Sequence, residues 1–446
     1  MLTKIPAVAT SLLSMSAPPR TAIAFIRSAA SGFDRHRHHR LRSASSTTRR
    51  LDDARRANAT MDFSSSRDRS IYWNREDGTS SSSVDGPSSS FRHEGPIVKE
   101  ARILALCDPN DVNNEPLYAG TLPEGCTLLG VGSSLADFVR EGDGSISGRH
   151  PNVIFVSHPR PRETLLEILD EYPSVEWVHT RSAGVDHVMS DGLSNSHVRL
   201  TNAKGMFSST LAEYCMMACS YFAKDLPRLM RQKANGEWTP YPITELRGTT
   251  LGIVGYGDIG KACAKLAKAY GMAVLGLRRT AQSSSSLSSS SLSSSSSSSS
   301  ADAYCDRVYH GTDGMHEMLS RSDYVLVSAP LTEMTRGLID GEALSKCKPS
   351  AVIINVGRGP IIDEIALVEA LTNRTIRGAG LDVTTVEPLP RDSPLWKLDN
   401  VLLSPHNMDM TRTFMRESTE FFVNENLPRF VRGKTLLNPV DKSVGY

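Results

Sequence analysis

Three short polar segments interrupt the apolar second half of the chain. Asn355-Val356-Gly357-Arg358-Gly359 carries a cation, Leu381-Asp382-Val383 with Glu387-Pro388 carries carboxylates, and Ser404-Pro405-His406-Asn407 carries an imidazole. Each ends or follows a short aliphatic run that reads as a strand: Ala351–Val356, Gly378–Val383 and Val401–Leu403. Open parallel sheets bind ligands outside the carboxyl ends of their strands, so these groups are expected to converge on one crevice. The set suits proton transfer beside an anion. An imidazole titrates near neutral pH, and a guanidinium grips a carboxylate with a fork of donors. Singly, Arg358 reads as the neighbour of a helix cap, Glu387 as a surface acid and His406 as a loop histidine. Jointly, and beside a nucleotide cradle, they read as a site.

The cradle is Gly255-Tyr256-Gly257-Asp258-Ile259-Gly260, directly after the aliphatic run Leu251–Val254 and opening a helix over Lys261–Tyr270. A bare GxGxxG is weak, but between a strand and a helix it is a dinucleotide fingerprint. Gly255 permits the tight turn, Gly257 lets the backbone approach a pyrophosphate, and Gly260 lets the helix lie close to the strand. Asp258 is an unexpected acid beside a pyrophosphate. An NAD site places Asp or Glu at the end of the second strand. Here Arg278 and Arg279 stand there, eighteen and nineteen positions after Gly260. Two guanidiniums suit a 2′-phosphate. NADP is therefore the expected cofactor, with NAD second.

These groups need a scaffold, and the pattern supplies one. Ile103–Cys107, Val153–Val156 and Val175–Val178 read as strands of a first unit, with a helix over Arg162–Glu171. Ser208–Gln232 reads as one long helix despite Pro227. From Thr249 six strand candidates alternate with helices: Leu251–Val254, Ala273–Leu277, Tyr324–Ser328, Ala351–Val356, Gly378–Val383 and Val401–Leu403. Alternation of this kind implies a parallel sheet covered on both faces. Arg412–Phe430 reads as a final helix and Val440–Tyr446 as a tail. Ser283–Ser300, with 16 serines and two leucines, cannot build a packed element and is expected to be a disordered insertion.

The 446 residues carry a formal net charge of +1, which conceals two parts. Residues 1–50 hold nine Lys or Arg and one acid, Asp34; removing these from the 50 bases and 49 acids leaves 41 and 48, a net of −7. The Arg- and Ser-rich opening segment, with the linker to about residue 97, is expected to be a mitochondrial or plastid targeting leader; without that function the protein would be cytoplasmic. No run nears the roughly 18 apolar residues of a membrane span, so no membrane partner is expected, and no nucleic acid. Seven scattered cysteines without a CxxC pair read as reduced thiols, and no metal site is expected.

The chain resembles the D-isomer-specific 2-hydroxyacid dehydrogenase family over about residues 101–446, the serine tract excepted. The motifs are Ser182-Ala183-Gly184-Val185-Asp186, the glycine cradle, Ala329-Pro330-Leu331-Thr332 through Thr335-Arg336-Gly337, NVGRG through Asp363-Glu364, GLDV with EPLP, and SPHN. The resemblance implies a Rossmann-type doubly wound cofactor domain (207–406) and a smaller, discontinuous flavodoxin-like α/β substrate domain (101–206, completed by 407–446). It implies Arg358, Glu387 and His406 as the catalytic set. It also implies Asp382 as a nicotinamide contact, Ala329, Pro330, Thr335, Val356, Gly357 and Arg358 along the cofactor, and amides around Ala183 and Gly184, with Arg358, as the substrate carboxylate site. Arg181 and Met206 are candidates for the acyl side.

The expected reaction is NAD(P)H-dependent reduction of a small 2-keto acid, such as glyoxylate or hydroxypyruvate, to the D-2-hydroxy acid. The hydride comes from nicotinamide and the proton from His406. A homodimer is expected, with the long helix at its interface. The competing expectation, from another class, is a dinucleotide-sensing corepressor-like interaction protein on the same fold.

Overall fold

A computed structural model describes residues 95–118, 122–139, 150–279 and 302–446. The leader's first 94 residues and the Ser283–Ser300 tract lie outside them.

Twelve named strands form two parallel sheets among the described residues. The first holds β1 (Ala101–Leu106), β2 (Cys126–Gly132), β3 (Val153–Val156), β4 (Trp177–Thr180) and β5 (Arg199–Thr201) in the order β2-β1-β3-β4-β5. That is the flavodoxin-like order. The second holds β6 (Thr250–Val254), β7 (Ala273–Leu277), β8 (Arg307–Tyr309), β9 (Tyr324–Val327), β10 (Val352–Asn355), β11 (Gly378–Leu381) and β12 (Val401–Leu403). Its order, β12-β11-β10-β9-β6-β7-β8, is a Rossmann arrangement with one strand added. The chain winds outward from β6 to β8, then returns to β9 on the other side, which makes the gap between β6 and β9 the switch point.

Period-2 alternation builds the layers. Leu251, Ile253, Leu326, Val352 and Ile354 face a core shared with the helices Ser208–Ala223 and Asp258–Ala269. Val254, Val325, Val327 and Ile353 face the opposite core, against the helix Gly311–Arg321. In the first sheet Leu104, Leu106, Ile154 and Val156 point one way, and Ile103, Ala105, Val153 and Phe155 the other. The second of those faces is sealed by Phe422 and Phe430.

The single long helix is corrected to two, Ser208–Ala223 and Leu226–Asn235. Proline lacks the N–H a helix interior needs, so Pro227 can sit only in the first turn of a new helix. Asp225 takes a left-handed conformation (φ 51°) at the break and accepts a hydrogen bond from Arg228 N. The final helix runs Phe414–Phe421, passes through a π-turn at Phe422–Asn426, and resumes over Leu427–Val431 around Pro428. Nor is the tail loose. Val440 N donates to Leu200 O, and Lys442 Nζ donates to the carbonyls of Leu193 (2.9 Å) and Ser196 (2.6 Å).

Candidate active site

At the switch point the two central strands end against each other. Gly255 has φ +91°, and a Cβ there would stand 2.5 Å from Ala329 Cα, so only glycine fits. A Cβ on Gly260 would meet Gly255 O and Ile253 at 2.9 Å, which lets the helix Asp258–Ala269 press on β6. A Cβ on Gly257 meets nothing within 4 Å. That open space lies at the helix's amino end, where unpaired N–H groups and the macrodipole favour an anion. The cradle thus fits a dinucleotide pyrophosphate. Asp258, in the helix's first turn beside Ile259, faces Lys204 Nζ at 3.6 Å.

His406 follows β12 with a left-handed backbone (φ 51°), its N–H held by Asp382 O at 2.9 Å. Its Nδ1 pairs with Glu387 Oε2 at 2.7 Å. Glu387 is itself anchored, accepting at Oε1 from Thr384 N at 3.0 Å. With Nδ1 engaged, Nε2 is the ring nitrogen left to exchange a proton. Asp382 is buried at the end of β11, and its Oδ1 accepts from Ser404 Oγ (2.7 Å) and Asn407 N (3.1 Å).

Arg358 leaves the end of β10 and reaches the loop after β4. Its Nε and Nη2 donate to Asp186 Oδ1 at 3.2 and 3.0 Å, and Nη1 donates to Gly357 O at 2.9 Å. A Cβ on Gly184 would come within 1.7 Å of Arg358 Nη2, so the guanidinium lies directly on that glycine. The N–H groups of Ala183 and Gly184 donate to no acceptor among the described residues. Two free amides beside a guanidinium are the donor set that suits a carboxylate. Burial pushes the Asp186 carboxyl up, but the Arg358 charge outweighs it and holds the group below its ordinary value.

Other expected residues line the cleft less directly. Val356 and Gly357 are buried, Gly357 N donates to Asn355 Oδ1, and a Cβ at 357 would lie 2.8 Å from Ala329 O. Pro330 is exposed at the mouth. Thr335 has its hydroxyl committed to its own loop, donating to Pro330 O at 2.6 Å and accepting from Thr332 N at 2.8 Å. Arg181 is only 9% exposed, and its Nη1 is taken by Asp111 Oδ2 and Asn114 Oδ1, both at 2.8 Å. Met206 packs against the helix core. At the other end of the cleft, Arg278 lies with its Cζ 5.1 Å from the Tyr256 ring centroid, and Arg279 with its Cζ 5.4 Å from that of Tyr446.

A family model, the NAD binding domain of D-isomer specific 2-hydroxyacid dehydrogenase, matches residues 216–407. A glyoxylate reductase of Korarchaeum cryptofilum is 31% identical over 284 residues, 62% of this chain and 80% of that one. The glyoxylate/hydroxypyruvate reductase B of Pectobacterium carotovorum is 34% identical over 246 residues, 54% of this chain and 71% of its own. Among solved structures, a D-isomer specific 2-hydroxyacid dehydrogenase from Xanthobacter autotrophicus Py2, in complex with NADPH and MES, is similar with a TM-score of 0.61 at 28% identity. The match covers 78% of this chain and all of that one. The chain belongs to the D-isomer specific 2-hydroxyacid dehydrogenases.

As a dehydrogenase of this family it is an NAD(P)-dependent oxidoreductase, and its cleft holds groups that sequence reasoning passed over. Asp186 stood in a quoted motif without a role. Asp409, three residues past His406, feels the charges of His406, Asp382 and Arg358; burial dominates and raises its carboxyl. Asp302 faces Arg278 Nη2 at 3.8 Å. No local pattern announces Asp302, because it enters from beyond the serine tract.

Proposed function

We propose that the protein reduces a small 2-keto acid, glyoxylate or hydroxypyruvate, preferentially with NADPH. The observation that carries this reading is the His406–Glu387 pair beside Arg358 and the free Ala183 and Gly184 amides. The keto acid's carboxylate lies against those amides and the guanidinium, with its carbonyl oxygen toward His406 Nε2. Bound nicotinamide supplies the hydride. His406 gives the proton to the carbonyl oxygen, and Glu387 holds the ring by Nδ1 so that Nε2 points inward. Arg358 draws the developing negative charge toward its donors. Asp382 fixes the His406 loop through Asn407 N and Ser404, and stands where the resemblance puts the nicotinamide contact.

Arg278 and Arg279 in place of a carboxylate support the NADPH preference. The reductases named above, and the NADPH complex of the Xanthobacter relative, agree in class. A homodimer fits the helix Leu226–Asn235, which buries none of its residues and exposes Leu229 and Met230, with the exposed Ile243 and Trp238 just beyond it, the last 96% exposed. An apolar patch of that kind seeks a partner. Light scattering should give twice the chain mass, and Trp238→Ser should weaken the association.

The deciding experiment follows NADPH and NADH absorbance with glyoxylate, hydroxypyruvate, pyruvate and longer keto acids. Wild type should turn over the first two fastest and with NADPH. Absence of turnover on every substrate defeats the reading. No observation favours the dinucleotide-sensing alternative over turnover.

A further inference from the structure

The adenosine end of the cleft has a feature that the paired arginines alone do not explain. Arg278 closes β7, and its backbone is clamped by the next strand: its N–H donates to Tyr309 O at 3.0 Å, and His310 Nδ1 donates to its carbonyl at 3.1 Å. The guanidinium lies over the buried Tyr256 ring of the glycine cradle. Facing it, 3.8 Å from Nη2, is Asp302 Oδ2. Asp302 is not a loose surface acid. Its Oδ1 accepts from Tyr304 N at 3.1 Å and its carbonyl from Cys305 N at 3.2 Å, so the turn leading into β8 fixes the carboxylate. Both partners of the pair are about three-quarters buried, with side-chain exposures of 26% and 23%. The Tyr256 phenol is pushed up by burial and then by the Asp302 charge.

We propose that Asp302 is a specificity-determining residue for the cofactor, competing with a 2′-phosphate for Arg278 and offering a ribose 2′-hydroxyl its acceptor. The inference rests on the cofactor reading above. NAD sites take their ribose acceptor from the end of the second strand. Here that position is cationic, and the acid comes from the approach to the third. A 2′-phosphate must displace or face a carboxylate to reach Arg278, whereas a 2′-hydroxyl can donate to it. Cofactor choice is therefore a contest between two fixed, opposite charges, and NADPH preference is held below what two arginines would confer.

The test measures NADPH and NADH binding by nucleotide fluorescence, and kcat/KM for each, in wild type, Asp302→Asn, Arg278→Ala and the double variant. Asparagine retains an oxygen for Tyr304 N, so the turn is kept. Asp302→Asn should tighten NADPH by roughly 5- to 20-fold relative to NADH, the span expected when a charge-assisted contact is freed of its competitor. With Arg278→Ala in place, the same change should yield less than twofold. An unchanged or reduced NADPH-to-NADH ratio in Asp302→Asn overturns the inference, as does an undiminished gain in the double variant. A wild type that prefers NADH, with a ratio that still rises in Asp302→Asn, defeats the NADPH preference and upholds the role of Asp302. A wild type that strongly prefers NADPH, with a ratio that does not move, does the reverse.

Discussion

The cleft carries an arginine–aspartate pair at each end, and the two are built differently. Arg358 meets Asp186 through two donors at 3.0 and 3.2 Å, with the partners contributed by different sheets. Arg278 meets Asp302 at 3.8 Å, and both belong to the second sheet's margin. The first pair is a hydrogen-bonded assembly that orients a guanidinium on Gly184. The second is a charge contact beyond hydrogen-bond length, one that an incoming anion can outbid. Position along the cleft, rather than residue type, decides whether such a pair orients a group or tunes a choice.

The largest effect should come at the reducing end. His406→Ala should lower kcat by about 10²–10⁴ while leaving cofactor binding near wild type, since only the proton donor is lost. Steady-state rates with a fluorescence titration check this, and a fall of less than tenfold removes the histidine from the chemistry. At the opposite end, Arg278→Asp should weaken NADPH by roughly 10- to 150-fold and reverse the preference, through the loss of a charged hydrogen bond. Keto-acid KM should stay where it was; if it moves in parallel, the two ends are not separable. Asp186→Asn should raise keto-acid KM by about tenfold without altering the NADPH-to-NADH ratio, because the orienting pair acts on substrate alone.

The smallest effect lies inside the first sheet. His179, in β4, is fully buried, bonded at Nδ1 to Thr201 Oγ1 (2.7 Å), and burial holds its pKa down to about 3. In the unfolded chain the ring protonates near pH 6.5. Between those values the unfolded state binds more protons, so stability falls as pH drops below about 6.5, by at most ~1.4 kcal/mol per unit, until the folded ring also titrates. Thermal melts from pH 7 to 5 should show a steeper loss in wild type than in His179→Gln.

Much of the scaffold was legible because its central strands are buried on both faces. Runs such as Tyr324–Val327 and Val352–Asn355 are buried throughout and each holds three aliphatic residues in a row, and their bounds are legible to within a residue or two. The three strands that escaped notice, β2, β5 and β8, are all sheet edges. Cys126–Gly132 has its apolar run broken by Gly130 and buries only Gly132 fully, and Arg199–Thr201 and Arg307–Tyr309 are three residues long, so none carries a long, buried apolar run. Within the site, the glycine cradle and the Arg358, Glu387 and His406 segments were visible because each sits at a strand end. Arg181, a candidate for the acyl side, shows the opposite case: Asp111 and Asn114, far earlier in the chain, turn it inward, and no local pattern announces them. Asp302 and Asp186 depend on partners 24 and 172 positions away, a distance over which side-chain pairing leaves no periodic trace.

Two ionic clasps span the halves of the cleft, and they run in opposite senses. Arg358 reaches from the second sheet to an acid of the first half, whereas Lys204, just past β5, reaches back to Asp258 on the cradle helix. The second clasp is the longer at 3.6 Å, with side-chain exposures of 56% and 49%. Salt screens an exposed pair before a sheltered one. Rising ionic strength thus loosens the Lys204–Asp258 clasp on the cradle side before the Arg358–Asp186 clasp on the other, so the two are separable by salt alone.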